Sequence, residues 1–436
     1  MLISSKQVRS AQKDLDVLLK SSELMNDVAA LKSLEFMERL RREVSTPNGS
    51  KIYFSDKASQ SFQRLFEIIS LVLPSKDFLE PQDIYASCKT VLGRLYEQGG
   101  SESVEVYIIE VESAVALLVS DHDFYSVVAG LEFEGFDELE VGKVSVHRPR
   151  LEVLEASIAQ DGVVNMAWRE MNYGLWITTK ITGSWAYGER RFFEHVKVTC
   201  GLLALALAFT TTLEHGGAAV RLIPSVEGRF RPGATTWFSV ESHTNNLHLK
   251  TSYDGFQRLD LKHDYADSLL TCDWFIELTR IGQLDVGNDA EQAVRRGLYW
   301  FFDAQADNSI EMKFVKYWSC IECIFSIGKI GVTEKIRRGI TSMLTYGGYR
   351  FSNIDEWEVL GRRISKLYDL RSSAVHDARH DHISMKDVVD VSKWSAFVIM
   401  EISMLIKGGL TNRKQLLEEV DRLQECHLSR HLADGH

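Results

Sequence analysis

Leu367-Tyr368-Asp369-Leu370-Arg371-Ser372-Ser373-Ala374-Val375-His376 is the stretch on which the fold reading turns. Its apolar residues (Leu367, Leu370, Ala374, Val375) recur at helical spacing and frame one arginine and one histidine. It lies in a region free of the residue that breaks helices. The last proline in the chain is Pro232, and the roughly two hundred residues after it keep a 3.6-residue period, which argues for a helical bundle. The periodicity predicts helices over 268–281, 289–306, 310–327, 333–344, 354–370 and 385–406, with a charged surface helix over 413–430. Thr333 with Glu334, and Ser384 before an apolar run, serve as starts; Gly347-Gly348 and Gly408-Gly409 serve as stops.

Working back from the bundle, the texture changes twice. Residues 5–45 carry apolar side chains at helical spacing, and Thr46-Pro47-Asn48-Gly49 interrupts them with turn residues. Two further helices are expected over 58–73, stopped by Pro74, and over 81–97, opened by Pro81 and closed by Gly99-Gly100. From Val104 the chain becomes rich in Val, Ile and Tyr, so 104–111 reads as a strand, with more strand over 115–119, 124–133 and 143–147. A helix is expected over 190–213 and short strands between 220 and 261, with Pro224, Pro232, Gly233 and Asn245-Asn246 as turns. The expected class is α+β. A helical region (1–100) and a mostly antiparallel α+β domain (101–265) precede an all-α bundle (266–410) and a helical tail (411–436).

The totals narrow the function classes. Apolar residues make up 45% and charged residues 25% of 436 positions, ordinary for a chain with a buried core. A formal net charge of −11 argues against a surface that holds duplex DNA by bulk electrostatics. The bundle itself is near neutral, with about 17 basic and 16 acidic side chains over 288–407. Six cysteines are scattered without a disulfide framework, and the chain enters an amphipathic pattern directly after Met1, so reduced thiols in a cytoplasm are the simplest expectation. The longest apolar run, 198–209, is too short to span a bilayer.

Arginine offers phosphate a planar fork of permanently charged donors, and histidine exchanges protons near neutral pH. Side by side, Arg371 and His376 suit cleavage of RNA, in which a 2′-hydroxyl attacks its own phosphodiester. An unbroken helix places residues five apart roughly 140° from each other, so the pair needs a helix end or bend, or a second copy of the chain. The bland reading is an arginine and a histidine capping a helix end, with Asp369 or Asp377 as partners. Glu322 sits mid-helix among Trp318, Ile321, Ile324 and Phe325, where a buried acid needs a partner. It either forms a plain ion pair or orients the Arg371–His376 pair.

Four other groupings carry weaker chemistry. His376, His380 and His382 with Asp377 and Asp381 have partial metal-site spacing, and a metal-dependent hydrolase there is the least favoured option. Cys320 and Cys323 form a C-x2-C inside an apolar helix without a second pair, which reads as packing. Arg337-Arg338 and Arg362-Arg363 with Lys366 would flank a cleft and hold phosphates, or form a solvated face. The aromatic stretches 299–302 and 314–318 read as core or dimer interface. No Walker loop, G-x-S-x-G, H-E-x-x-H or G-x-G-x-x-G occurs in its required context.

Arg371, four residues, then His376, with the lead-in Leu367–Leu370 and the helix Phe314-Val315-Lys316-Tyr317-Trp318-Ser319-Cys320-Ile321-Glu322, resembles the Apea-like group of the HEPN superfamily over residues 288–407. The residue after the arginine, often Asn, Asp or His in active members, is Ser372 here. The resemblance implies a homodimer whose facing helices bring two Arg371–His376 pairs into one cleft, with Glu322, Ser372 and Asp369 in support. It implies metal-independent RNA cleavage with no cofactor, tRNA among the possible substrates. It also implies an abortive-infection role in which the front two-thirds sense a phage product or restrain the nuclease. The alternative is a non-catalytic dimerising module, which Ser372 and the acidic net charge favour.

Overall fold

In the computed structural model the described residues are 4–23, 34–99, 102–156, 161–172, 174–207, 223–224, 234–240, 247–253, 259–307, 309–328, 331–377 and 382–434. They divide into two compact units, one of residues 1–124 and 180–192, the other of 125–179 and 193–436. The helices and the mostly antiparallel strands make it an α+β protein with an all-helical C-terminal region.

The first unit opens with α1 (Ser5–Leu18) and α2 (Phe36–Arg42), followed by the antiparallel pair β1 (Glu43–Ser45) and β2 (Lys51–Tyr53). The turn residues Thr46–Gly49 join these two strands. Next come α3 (Asp56–Val72), capped by the Ser55 side chain, and α4 (Pro81–Glu97), with Pro at its first position. Ala58, Phe62, Leu65 and Ile69 of α3, spaced four, three and four, meet Leu15 of α1 and Val91 and Leu95 of α4 in the core. Gly93 lets α4 approach β1: a Cβ there would lie 2.2 Å from the Ser45 carbonyl oxygen.

The strand expected over 104–111 is a helix, α5 (Val104–Ala116), and it runs through the start of the second expected strand. Val, Ile and Tyr suggested a strand, but the buried positions are Val104, Tyr107, Ile108, Val111 and Val115, a helical spacing that seals this core. The Ser103 side chain accepts the N–H of Val106 at its start, and the Tyr107 hydroxyl donates to the Cys88 carbonyl at 2.8 Å. Packing on one face outweighed β-propensity here.

Strands β3 (Ser120–Ala129), β4 (Leu131–Glu134), β5 (Glu138–Val141) and β6 (Val144–His147) follow, then the short helices α6 (Leu151–Glu155) and α7 (Asp161–Met171), which the pattern did not suggest. β7 (Leu175–Gly183) leads into α8 (Trp185–Leu207); the last residues of the helix expected over 190–213 lie outside the described residues. β8 (Ile223–Pro224) completes a sheet of order β5-β6-β7-β3-β8, with Pro224 on the edge opposite Val128 rather than in a turn. The other expected turns, Pro232, Gly233 and Asn245-Asn246, lie outside the described residues. β9 (Ala234–Val240) and β10 (Leu247–Tyr253) pair antiparallel, and β11 (Leu259–Lys262) pairs parallel with β4.

The helical region begins with α9 (His263–Thr271) and α10 (Asp273–Gly282), separated by an extended Cys272 where a single helix was expected. α11 (Asp289–Ala306), α12 (Ile310–Phe325), α13 (Val332–Tyr346), α14 (Trp357–His376), α15 (Met385–Lys407) and α16 (Arg413–Asp434) complete it. Reciprocal caps set two starts: Asn288 with Glu291 for α11 and Ser384 with Asp387 for α15. α12 and α15 pack together, and α15 is buried on most of its faces, from Val388 to Ile406. α11 lies against both, α14 against α12 and α13, and α16 against α13.

Candidate functional site

α12 and α14 bring the first two candidate residues together. On α12, Phe314, Trp318, Ile321 and Phe325 are buried, and Glu322 follows Trp318 by one turn on the side toward α14. On α14, Ile364 and Leu367 seat the helix, and Tyr368 and Arg371, three apart, share the face that meets Glu322. Arg371 Nη2 donates to Glu322 Oε2 at 2.6 Å, and the Tyr368 hydroxyl donates to Oε1 at 2.9 Å. Both charged side chains are largely shielded, 17% exposed for Arg371 and 18% for Glu322.

Tyr368 touches Arg371 as well as its counter-ion. The guanidinium carbon lies 5.8 Å from the Tyr368 ring centroid, within cation–π range. The ring in turn stands edge-on to Trp318, with centroids 5.2 Å apart. Arg371 Nε is buried and, among the described residues, has no hydrogen-bond partner. The guanidinium is therefore fixed through one arm and one face, with a desolvated donor left over.

Electrostatics around Glu322 are finely opposed. Burial raises its pKa; the charge of Arg371, the hydrogen bonds from Tyr368 and Arg371, and the charge of His376 lower it, and burial prevails. Tyr368 is pushed up to about 12, first by burial and then by the Glu322 charge, so its hydroxyl stays a donor at any physiological pH.

α14 runs unbroken through both motif residues and ends at His376, with Asp377 as its cap. The five-residue step is thus a regular helical one, and the imidazole stands exposed at the helix end. Among the described residues its ring nitrogens make no hydrogen bond. Ser372 is half-buried and Asp369 exposed, and neither hydrogen-bonds to Arg371 or His376 among the described residues.

The remaining candidates fall as follows. His380 and Asp381 lie outside the described residues, and no group of three or more potential ligands gathers among those described. Cys320 is buried and Cys323 half-buried, and burial raises both thiols. Arg337 pairs with Glu334 on its own helix, whereas Arg338 with Asp421 joins α13 to α16, and Arg363 with Asp387 and Asp390, at 2.7 Å each, joins α14 to α15. Arg362 and Lys366 are exposed. Phe301, Phe302, Phe314 and Trp318 are core residues.

Tyr368 is the site residue that sequence reasoning passed over. Its three-residue offset from Arg371 was visible, but the reach of its hydroxyl to a helix some fifty residues earlier was not.

Comparison with protein-family models, with curated proteins and with solved structures finds no match to this chain. Among the described residues no helix is long and apolar enough to cross a membrane.

Proposed function

We propose that this protein is a metal-independent HEPN-type endoribonuclease of the cytoplasm, acting as a homodimer. The observation that carries the reading is a shielded Arg371–Glu322 pair held by the same helix that ends in an exposed His376. Glu322 holds Arg371 in place for an incoming phosphate, and His376, exposed at the helix end, is open to a 2′-hydroxyl or a 5′-leaving oxygen. A regular helix sets the two side chains roughly 140° apart, so a second protomer completes the cleft. Arginine would then stabilise charge on the phosphate while histidine moves the proton. The front two-thirds of the chain sense a trigger or restrain cleavage, in an abortive response to phage.

The test is incubation of the purified protein with total RNA and with tRNA in the presence of EDTA, followed by mapping of product ends. Products ending in 2′,3′-cyclic phosphate, lost in Arg371→Ala and His376→Ala, support the assignment. Cleavage that survives both substitutions removes it.

One observation favours the second reading, a non-catalytic dimerising module: the Arg371 charge is already met by Glu322 at 2.6 Å, so phosphate must compete for it. A dimer that persists in Arg371→Ala, with no cleavage of any RNA by the wild type, supports this module.

A further inference from the structure

Tyr368 has a place in the site that neither the motif nor its spacing assigns. Its hydroxyl occupies one oxygen of Glu322, which leaves the other for Arg371 Nη2. Its ring lies beneath the guanidinium and is itself braced edge-on by Trp318. A carboxylate on a glutamate side chain has rotational freedom, and a single ion pair does not fix its plane. Two donors on separate oxygens do. Tyr368 is almost fully buried, so this hydroxyl is not exchanged for water at little cost.

We infer that Tyr368 is the positioning residue of the site, holding the Glu322 carboxylate and the Arg371 guanidinium in one geometry so that the remaining arginine donors are presented to a phosphodiester. This deepens the ribonuclease reading and rests on it for its catalytic consequence. Its structural content, control of the Glu322 carboxylate, stands by itself.

The groups that act on Glu322 are Arg371, Tyr368 and His376, all on α14, and the Cys323 thiol on its own helix is coupled to it. Of these, the Tyr368 hydroxyl is the only one that can be deleted without changing charge or ring volume. Its hydrogen bond lowers the Glu322 pKa against the raising effect of burial. Removing it therefore moves the carboxyl's titration upward, whereas a merely space-filling tyrosine would leave it in place.

Tyr368→Phe in the full-length protein tests this. Carboxyl NMR on protein carrying isotope-labelled glutamate, with the Glu322 signal assigned by its loss in Glu322→Gln, reads the titration directly. The Glu322 midpoint is expected to rise, and RNA cleavage at neutral pH to fall about tenfold, the order of one lost hydrogen bond to a charged group. The ring is conserved, so the thermal melt reports whether packing survived. An unmoved Glu322 midpoint overturns the inference, whatever the activity. A shifted midpoint with undiminished cleavage overturns the positioning role. A shifted midpoint in a protein whose wild type cuts no RNA supports the hold on Glu322 and sinks the ribonuclease reading alone.

Discussion

Replacing Arg371 by methionine keeps the apolar stem and removes the charge that Glu322 faces at 2.6 Å. The magnitude follows from the two exposures, 17% and 18%, which place the pair between surface and interior. A charge pair at an effective dielectric near 20 is worth about 4 kcal/mol at 4 Å, and losing one partner of a buried pair costs about 3–5 kcal/mol. Residual solvent contact brings the expectation for this site to about 2–3 kcal/mol. That loss depends on pH, and its sign is fixed. The Glu322 pKa is raised even with Arg371 present, because burial outweighs every favourable contact. Without Arg371 it rises further. A carboxyl whose folded-state pKa is raised contributes stability that is fully present below the unfolded pKa and lost as pH rises through the folded one.

Arg371→Met should therefore melt about 3–5 °C below wild type near pH 8, and the gap should close as pH falls through the raised Glu322 pKa. Calorimetry of the full chain across that range is the assay. Adding Glu322→Gln removes the stranded carboxylate, so the double variant should recover most of the loss and show no such pH dependence. A gap that stays constant with pH, or one that widens in acid, refutes the account of Glu322 as a buried, counter-ion-dependent carboxylate.

Three further substitutions separate the site from the scaffold. His376→Ala should leave the melt within about 1 °C of wild type, because the imidazole is exposed at a helix end, while RNA cleavage falls about a hundredfold; equal loss of both would make the residue structural. Gly93→Ala should cost the first unit about 2–3 kcal/mol, since a Cβ would sit 2.2 Å from the Ser45 carbonyl oxygen, and a melt unchanged within error would refute that close approach. Ser103→Ala removes the cap that receives the Val106 N–H and should cost about 1 kcal/mol with reduced helical circular dichroism, whereas a strand at 104–111 would be indifferent to it.

The helical region was the most legible part of the chain because most of its signals agreed with one another. Ser384 before its apolar run does cap α15, and no proline interrupts the region, although Thr333, read as a start, lies inside α13, whose N-cap is Gly331. The failures came where two signals conflicted or where none existed. In α5, Val104–Val111 carries a strand's composition on a helix's spacing, and spacing was the better guide because it records which side chains a core receives. The break at Cys272 has no sequence mark; neither glycine nor proline stands there, and Cys272 alone is extended between α9 and α10. The helices α6 and α7 were missed for a different reason. Neither holds a fully buried residue, and in α7 the half-buried stripe Val164, Ala167, Trp168 and Met171 was present but overlooked.

The site divides along the same line. Arg371 and His376 lie on one helix, and their separation is a fact of local geometry that five residues of sequence contain in full. Glu322 was identifiable as an acid in an apolar run that required a partner, yet the run does not say which of the bundle's many cations supplies it. Arg337, Arg338 and Arg363 were equally available by sequence, and each proves to be engaged elsewhere, with Glu334, with Asp421, and with Asp387 and Asp390. What selects Arg371 is tertiary: Trp318 one turn before Glu322 receives the edge of Tyr368, and Tyr368 places the next turn of α14 against the carboxylate. The aromatic contact thus sets the register between α12 and α14, and the ion pair is its consequence. The lead-in Leu367–Leu370 contained this tyrosine without giving it a partner, and that partner is the information spacing lacked.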